Sequence, residues 1–124
     1  MVRQRFLKKK WEKVLSFFFL LLLASCGNNV IPDVPAGPDG DFEGALLEGR
    51  EIWGTHCASC HGPSGQGGRG AKLNDGKIFE NYSEPEAMIN VINNGKGQGM
   101  PAFNSKLTLS ETEAVIRYIR EILN

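Results

Sequence analysis

The run Cys57-Ala58-Ser59-Cys60-His61 constrains the fold of this chain more than any other feature. It is a C-x-x-C-H motif, the attachment pattern of a c-type haem. Two thiols three residues apart lie on one side of a helical turn, so each can form a thioether with one porphyrin vinyl group. His61 follows directly and would supply the proximal imidazole nitrogen to the iron. The motif therefore predicts one covalent haem c, held by Cys57, Cys60 and His61.

Two other uses of the cysteine pair fit the sequence less well. A thioredoxin-like C-x-x-C requires a βαβ context, and no stretch of this sequence alternates as a strand would. A structural zinc site requires a second pair of ligands, and the one further histidine is His56. Haem attachment is therefore the preferred interpretation.

The first 25 residues have the pattern of a bacterial lipoprotein signal. A basic stretch precedes the apolar run 14–24, which is short for a membrane span because a span needs about 20 apolar residues. The run ends in Leu23-Ala24-Ser25-Cys26, which resembles a lipobox. We therefore expect cleavage before Cys26, lipidation of this cysteine and a domain on the extracytoplasmic side of the cell envelope. The alternative is a plain signal peptide or an uncleaved anchor in which Cys26 has no role.

Residues 26–40 contain several Gly and Pro residues and no apolar periodicity, which predicts a flexible tether after the lipidated Cys26. The folded domain is then 41–124. Residues 1–25 hold six of the 14 basic and one of the 14 acidic residues, so the rest of the chain has eight basic and 13 acidic residues. The resulting net charge of about −5 argues against a nucleic-acid partner and against a polybasic membrane patch.

The domain shows three helical patterns, which predict an all-α fold. The first would begin at Asp41, the second at a capping box Ser83–Glu86, and the third at a capping box Ser110–Glu113. Residues 62–76 form a Gly-rich loop, and no phosphate loop is indicated because no strand precedes it. An 84-residue unit of short helices is marginal, so the haem is expected to complete its core.

From about residue 44 to 123 the chain resembles the small class I cytochromes c. The resemblance implies a fold of three main helices and loops around a covalently attached haem, with crossed terminal helices that approach most closely at Gly49. The matching features, in chain order, are Gly49 and Trp53 four residues apart, the C-x-x-C-H motif, a Gly-rich loop ending at Leu73, Met100-Pro101, and Tyr118 in the last helix.

One position departs from this family. Its members usually have Pro-x-Leu after the Gly-rich loop, and the Pro carbonyl accepts the N–H of the proximal imidazole. The corresponding run here is Ala71-Lys72-Leu73. The Ala71 carbonyl can still accept that hydrogen bond, and Leu73 is expected to contact the haem.

The sixth iron ligand has three candidates, Met88, Met100 and His56. His56 lies on the wrong side of the attachment turn to reach the far face of the haem, and we expect it to be solvated or to pack at an edge. Met88 falls on the apolar side of a helix, where core packing is the default. Met100 lies in a Gly-rich loop before Pro101, where the resemblance places the thioether ligand. An open or exchangeable site is the remaining possibility.

With His61 and Met100 as axial ligands the iron has no position for a substrate, which indicates a one-electron carrier and no enzyme. Its partners would be donor and acceptor proteins of a respiratory or photosynthetic chain, and the membrane through Cys26. We expect apolar residues to surround the haem, namely Trp53, Leu73, Ile78, Phe79, Tyr82 and Phe103. The alternatives are a haem-bearing entry subunit of a larger oxidoreductase, or a five-coordinate sensor or peroxidase, against which the lack of His or Arg near Met100 argues.

Overall fold

A computed structural model of the protein describes residues 30–124, so the signal segment and Cys26 lie outside the described residues. Within this range the structure is all-α, and its one β interaction is an isolated antiparallel bridge between Lys96 and Met100. No helix in this part of the chain is long and apolar enough to cross a membrane. The helices are α1 (Gly44–Ile52), a π-helical segment (Trp53–Cys57), α2 (Ala58–His61), α3 (Lys77–Asn81), α4 (Pro85–Asn94) and α5 (Leu109–Glu121).

The three main helices are α1, α4 and α5, and the core forms where α1 crosses α5. The two backbones meet at Gly49, where an added Cβ would lie 2.2 Å from the carbonyl oxygen of Ala114 and 2.9 Å from Cβ of Tyr118. Real Cβ atoms do not approach other atoms this closely, so only glycine fits. The all-α class and the close approach at Gly49 are therefore confirmed.

The helix starts differ from those predicted. Helix α1 has Glu43 as its N-cap instead of Asp41, and no side chain caps it. Helix α4 follows Glu84, not Ser83, because Pro85 pushes the residue before it into extended backbone, here with φ −97° and ψ 135°. The predicted box at Ser83 is therefore wrong.

Helix α5 has a capping box, but it begins two residues earlier than predicted. The Thr108 hydroxyl accepts from the backbone N–H of Glu111 at 3.2 Å, and the Glu111 carboxylate accepts from the N–H of Thr108 at 2.7 Å. The earlier start also gives the buried hydroxyl of Thr112 an acceptor, the carbonyl of Thr108 at 2.9 Å. An unpaired buried hydroxyl would be costly, which favours this register over a start at Ser110.

Residues 31–34, hereafter the docked segment, pack on the domain although the sequence predicted a loose tether through residue 40. Val34 is buried, and the Arg50 guanidinium donates to the carbonyls of Pro32 at 3.0 Å and Ile31 at 3.2 Å. The hydroxyl of Tyr118 donates to the Pro32 carbonyl at 2.6 Å, and burial raises the pKa of Tyr118 to about 12, which keeps this donor protonated. Ile31 and Val34 alone are too few to form a recognisable apolar pattern, so the sequence did not reveal that this segment packs on the domain.

Candidate haem-binding site

The C-x-x-C-H motif lies where the π-helical segment passes into the short helix α2. Insertion of a wider turn at this place is typical of functional sites in helices. Cys57 and Cys60 are both half-buried and form no disulfide with each other. Helix α2 ends at Gly62, whose φ of 81° turns the chain sharply away after His61. The two thiols and the imidazole are thus presented together from a single turn.

The orientation of His61 is set by its hydrogen bond to the loop that follows. Its Nδ1 lies 2.7 Å from the carbonyl oxygen of Ala71. A carbonyl can only accept, so Nδ1 carries the proton and the Nε2 of the neutral ring keeps a free lone pair for a metal. The expectation that the Ala71 carbonyl replaces that of the family's proline is therefore confirmed. Gly70 has no room for a side chain, since its Cβ would lie 2.8 Å from Cε1 of His61.

The environment of Cys57 does not suit dithiol redox chemistry. Burial, with a smaller contribution from the neighbouring Cys60, raises the pKa of the Cys57 thiol to about 12. The nucleophilic cysteines of dithiol oxidoreductases instead have lowered pKa values, because the thiolate is the reactive form. The thioredoxin-like alternative is therefore disfavoured. The sulfur of Cys60 lies 3.6 Å from a guanidinium nitrogen of Arg69.

Trp53 connects the helix crossing to the motif. Its side chain is fully buried, and its ring centre lies 6.1 Å from that of His61 and 6.4 Å from that of Tyr118. The indole N–H donates to the carbonyl of Pro63 at 2.8 Å, which fixes the chain just after the motif. A buried indole needs such a partner. The packing of α1 on α5 thus holds His61 in place.

The three candidates for the sixth ligand lie in different surroundings. Met100 is half-buried in the loop between α4 and α5 and packs against the core. Met88 is a buried core residue of α4, 7% exposed. His56 stands edge-on to Phe103, with ring centres 5.9 Å apart. These placements agree with the packing expected of Met88 and His56. Met100 is the one candidate of the three that lies in a loop, outside the helices.

Five of the six residues expected around the haem belong to the core or pack on it, and one does not. Trp53, Ile78 and Phe103 are buried, and Leu73 and Tyr82 are partly buried against them. Phe79 is 40% exposed and lies under the guanidinium of Arg120, 4.8 Å from ring centre to Cζ. Leu73 is held by its own backbone, since its N–H donates to the Gly65 carbonyl at 2.7 Å.

A cavity of about 300 Å³ lies away from the motif. It is lined by residues of α3, α4 and α5, among them Phe79, Ile89, Ile116 and Arg120, and by none of the predicted haem ligands. The cavity therefore does not mark the haem-binding site, and the donor atoms of the C-x-x-C-H motif and of Met100 do. A thiol pair on one turn, an imidazole with a free Nε2 and a loop thioether are the donors that fit a c-type haem.

A comparison with protein families decides the identity. Residues 44–119, from the first residue of α1 to near the end of α5, match the model of the family described as cytochrome C oxidase, cbb3-type, subunit III. The chain belongs to this family of c-type cytochromes. The family implies a covalent haem c, and Cys57 and Cys60 of the cytochrome are consistent with its attachment. The docked segment lies before the matched region.

Curated relatives and a solved structure agree with this cytochrome family. The chain is 30% identical to the cbb3-type cytochrome c oxidase subunit FixP of Azorhizobium caulinodans, over 88% of this chain and 38% of that protein. It is 30% identical to cytochrome c-551 of Bacillus subtilis, over 68% of this chain and 72% of that protein. The crystal structure of cytochrome c6C from Synechococcus sp. PCC 7002 superposes with a TM-score of 0.50 at 36% identity, covering 58% of this chain and 89% of that one. The cytochrome thus spans well under half the length of FixP.

Proposed function

We propose that the protein is a one-electron carrier with a single haem c, attached through Cys57 and Cys60 and ligated by His61 and Met100. The hydrogen bond from His61 Nδ1 to the Ala71 carbonyl carries the proposal, because it leaves Nε2 free to ligate iron. When bound, the haem supplies an iron that gains and loses one electron. Met100 would fill the second axial position with a thioether, which favours the ferrous state and raises the potential.

The residues around this site support electron transfer without substrate chemistry. His61 is fixed by Ala71 and by the packing of Trp53, so it need not move when the oxidation state changes. Two protein ligands would leave no open position for a small molecule, so we propose no enzymatic activity. Trp53, Ile78 and Phe103 are buried. Around a bound haem, such apolar side chains would keep water from the iron and the local dielectric constant low.

A redox titration of the native protein, followed by its visible absorbance, tests this function. We expect a single one-electron transition. We also expect the reduced protein to show no rapid uptake of carbon monoxide, because a protein ligand would have to leave the iron first. Rapid uptake of carbon monoxide by the native reduced protein would instead support the sensor or peroxidase alternative.

We propose redox proteins of a respiratory or photosynthetic chain as partners, with no nucleic acid and no small-molecule substrate. A second candidate is a haem-bearing electron-entry subunit of a larger oxidoreductase. The matched family and FixP are both described as subunits of a cbb3-type cytochrome c oxidase, which favours an oxidase. Purification of the native protein from solubilised membranes separates the two. A mobile carrier would elute alone, whereas a subunit would elute with its oxidase.

We further propose that the domain is tethered to a bacterial membrane through lipidated Cys26, on the extracytoplasmic side. The docked segment makes this tether short. Only five residue steps separate Cys26 from Ile31, so the chain between them spans at most about 18 Å. Arg50 and Tyr118 hold the segment at fixed points, so one side of the domain would stay near the bilayer. The haem domain would therefore have less reach than a tether ending at residue 40 would give.

Changing Cys26 to Ser should abolish lipidation and signal removal at this site, because the lipid is attached through the cysteine sulfur. Native protein should partition into detergent and have an intact mass that begins at Cys26 with acyl groups added. The variant should keep the signal segment or be released without acyl mass. Ser25→Ala is the matched control, since another small residue before Cys26 should preserve processing. A soluble native protein that begins elsewhere and has no acyl mass would contradict the proposal.

A further inference from the structure

The loop that presents Met100 is a tight reversal governed by Lys96. The backbone N–H of Lys96 donates to the carbonyl of Met100 at 3.0 Å, and the N–H of Met100 donates back to Lys96 at 3.3 Å. Gly95 and Gly97 have φ values of 75° and 60°, which other residues rarely adopt. A Cβ on Gly95 would lie 2.5 Å from the carbonyl oxygen of Met100. The position of Lys96 therefore sets the position of the Met100 backbone.

The side chain of Lys96 reaches out of this loop to one partner. Its Nζ donates to the hydroxyl oxygen of Tyr82 at 2.6 Å. Among residues 30–124 Lys96 forms no ion pair with a carboxylate. Because the donor is charged, this hydrogen bond is stronger than one between neutral groups. The contact joins two loops 14 residues apart in sequence.

Tyr82 is itself fixed to the core. It follows α3, and its backbone N–H donates to the carbonyl of Ile78 at 2.9 Å. Its carbonyl accepts from Arg120 of α5 at 3.0 Å, and its ring packs against the core. Arg120 also donates to the carbonyl of Ser83 at 3.3 Å. A continuous set of hydrogen bonds thus runs from α5 through Tyr82 and Lys96 to the Met100 loop.

We propose that Tyr82 and Lys96 form a latch that positions Met100 as the axial ligand of the haem iron. The proposal rests on the proposed ligation by Met100. A loop with glycine at positions 95, 97 and 99 has many conformations when Met100 is not bound to iron. Ligation restricts the loop to one of them and therefore costs conformational entropy. The latch restricts the loop before ligation, so the ligated form loses less conformational entropy. Tyr82 and Lys96 are positioning residues, and neither is required to touch the iron.

Competition with azide measures how firmly Met100 is held. Tyr82→Phe removes the hydroxyl and keeps the ring. Lys96→Leu removes the amine, introduces no new iron ligand and keeps both backbone hydrogen bonds. Ferric holoprotein is titrated with azide while the sulfur-to-iron charge-transfer band is followed. We expect the apparent azide affinity to rise about three- to ten-fold in each variant. This is the effect of losing one ordinary intramolecular hydrogen bond, because the exposure of the contact to solvent weakens the advantage of its charged donor. The double variant should show no larger rise than either single variant, because both remove the same bond.

Tyr118→Phe is the matched control. It also removes a tyrosine hydroxyl that donates to a neighbour, the Pro32 carbonyl at 2.6 Å, but this contact holds the docked segment and not the Met100 loop. Its azide affinity should equal that of the native protein even if it unfolds at a lower urea concentration. Native-like azide affinity in Tyr82→Phe and Lys96→Leu, with the band intact, would overturn the latch alone. Absence of the band from the native protein would overturn ligation by Met100 and the latch together.

Discussion

Replacing Cys57 and Cys60 together by alanine should abolish covalent haem binding and, with it, cooperative folding of the domain. Residues 41–124 contain no cysteine besides these two, so no other thiol of the domain can substitute for them. Only three helices of the domain, α1, α4 and α5, have nine or more residues. A chain of this size buries a smaller fraction of its surface on folding than a larger chain does, so its free energy of unfolding is low. Haem that binds only the folded chain adds its binding free energy to folding. Haem per polypeptide should fall to near zero, and the thermal transition by circular dichroism should become broad.

Ser59→Ala is the control for this double variant. Ser59 lies between the two cysteines in the same turn and is exposed. Its hydroxyl donates one long hydrogen bond, 3.9 Å to the sulfur of Cys60. This variant should keep a full complement of haem and a sharp transition. A double cysteine variant that unfolds as cooperatively as the native protein would show that the helices fold without haem, contrary to our account.

Replacing Met100 by alanine should remove the sulfur-to-iron charge-transfer band and open the iron to azide and carbon monoxide. The thioether favours ferrous iron, so its loss should lower the midpoint potential by about 0.1 V or more, within the roughly 0.8 V that axial ligands span. Met100 is only half-buried where it packs on the core, so its truncation should cost less stability than truncation of a fully buried methionine. The spectral effect should therefore be much larger than the effect on stability.

Met88→Ala should show the opposite pattern. Met88 is 7% exposed in the core of α4, where truncation of a methionine costs about 2–5 kcal/mol of unfolding free energy. Its sulfur lies 4.0 Å from a guanidinium nitrogen of Arg120, a contact that belongs to the α4–α5 packing. The charge-transfer band and the potential should remain those of the native protein. If Met88→Ala instead gives the spectrum of ligand loss, the assignment of Met100 is wrong.

The features that could be predicted from the sequence are those set by local chemistry or by the resemblance to cytochromes c. Gly49 was expected at the helix crossing, and the structure leaves no room there for a Cβ. The hydrogen bond of His61 to Ala71 was expected despite the missing proline, because any residue at that position supplies a carbonyl. Axial ligation by Met100 and lipidation of Cys26 stay predictions.

Two features were not revealed by the sequence. The start of α5 depends on a choice between two overlapping capping patterns, and the docked segment depends on contacts with residues far away in sequence. Two overlapping Ser/Thr-x-x-Glu patterns precede α5, and the pairing of buried Thr112 with Thr108 favours the earlier one. The docked segment depends on Arg50 and Tyr118, which lie 18 and 86 residues from Pro32. No periodicity within a segment can report such contacts, since they form only when the chain is folded.

Extraction of the purified protein with acidified acetone tests the central claim most directly, because it removes haem that is held only by ligation and packing and leaves thioether bonds intact. The account predicts that the haem remains on the polypeptide, visible by haem staining of a denaturing gel and as the added mass of one haem on the intact chain. Haem that passes freely into the acetone, leaving a colourless polypeptide with unmodified Cys57 and Cys60, would contradict it.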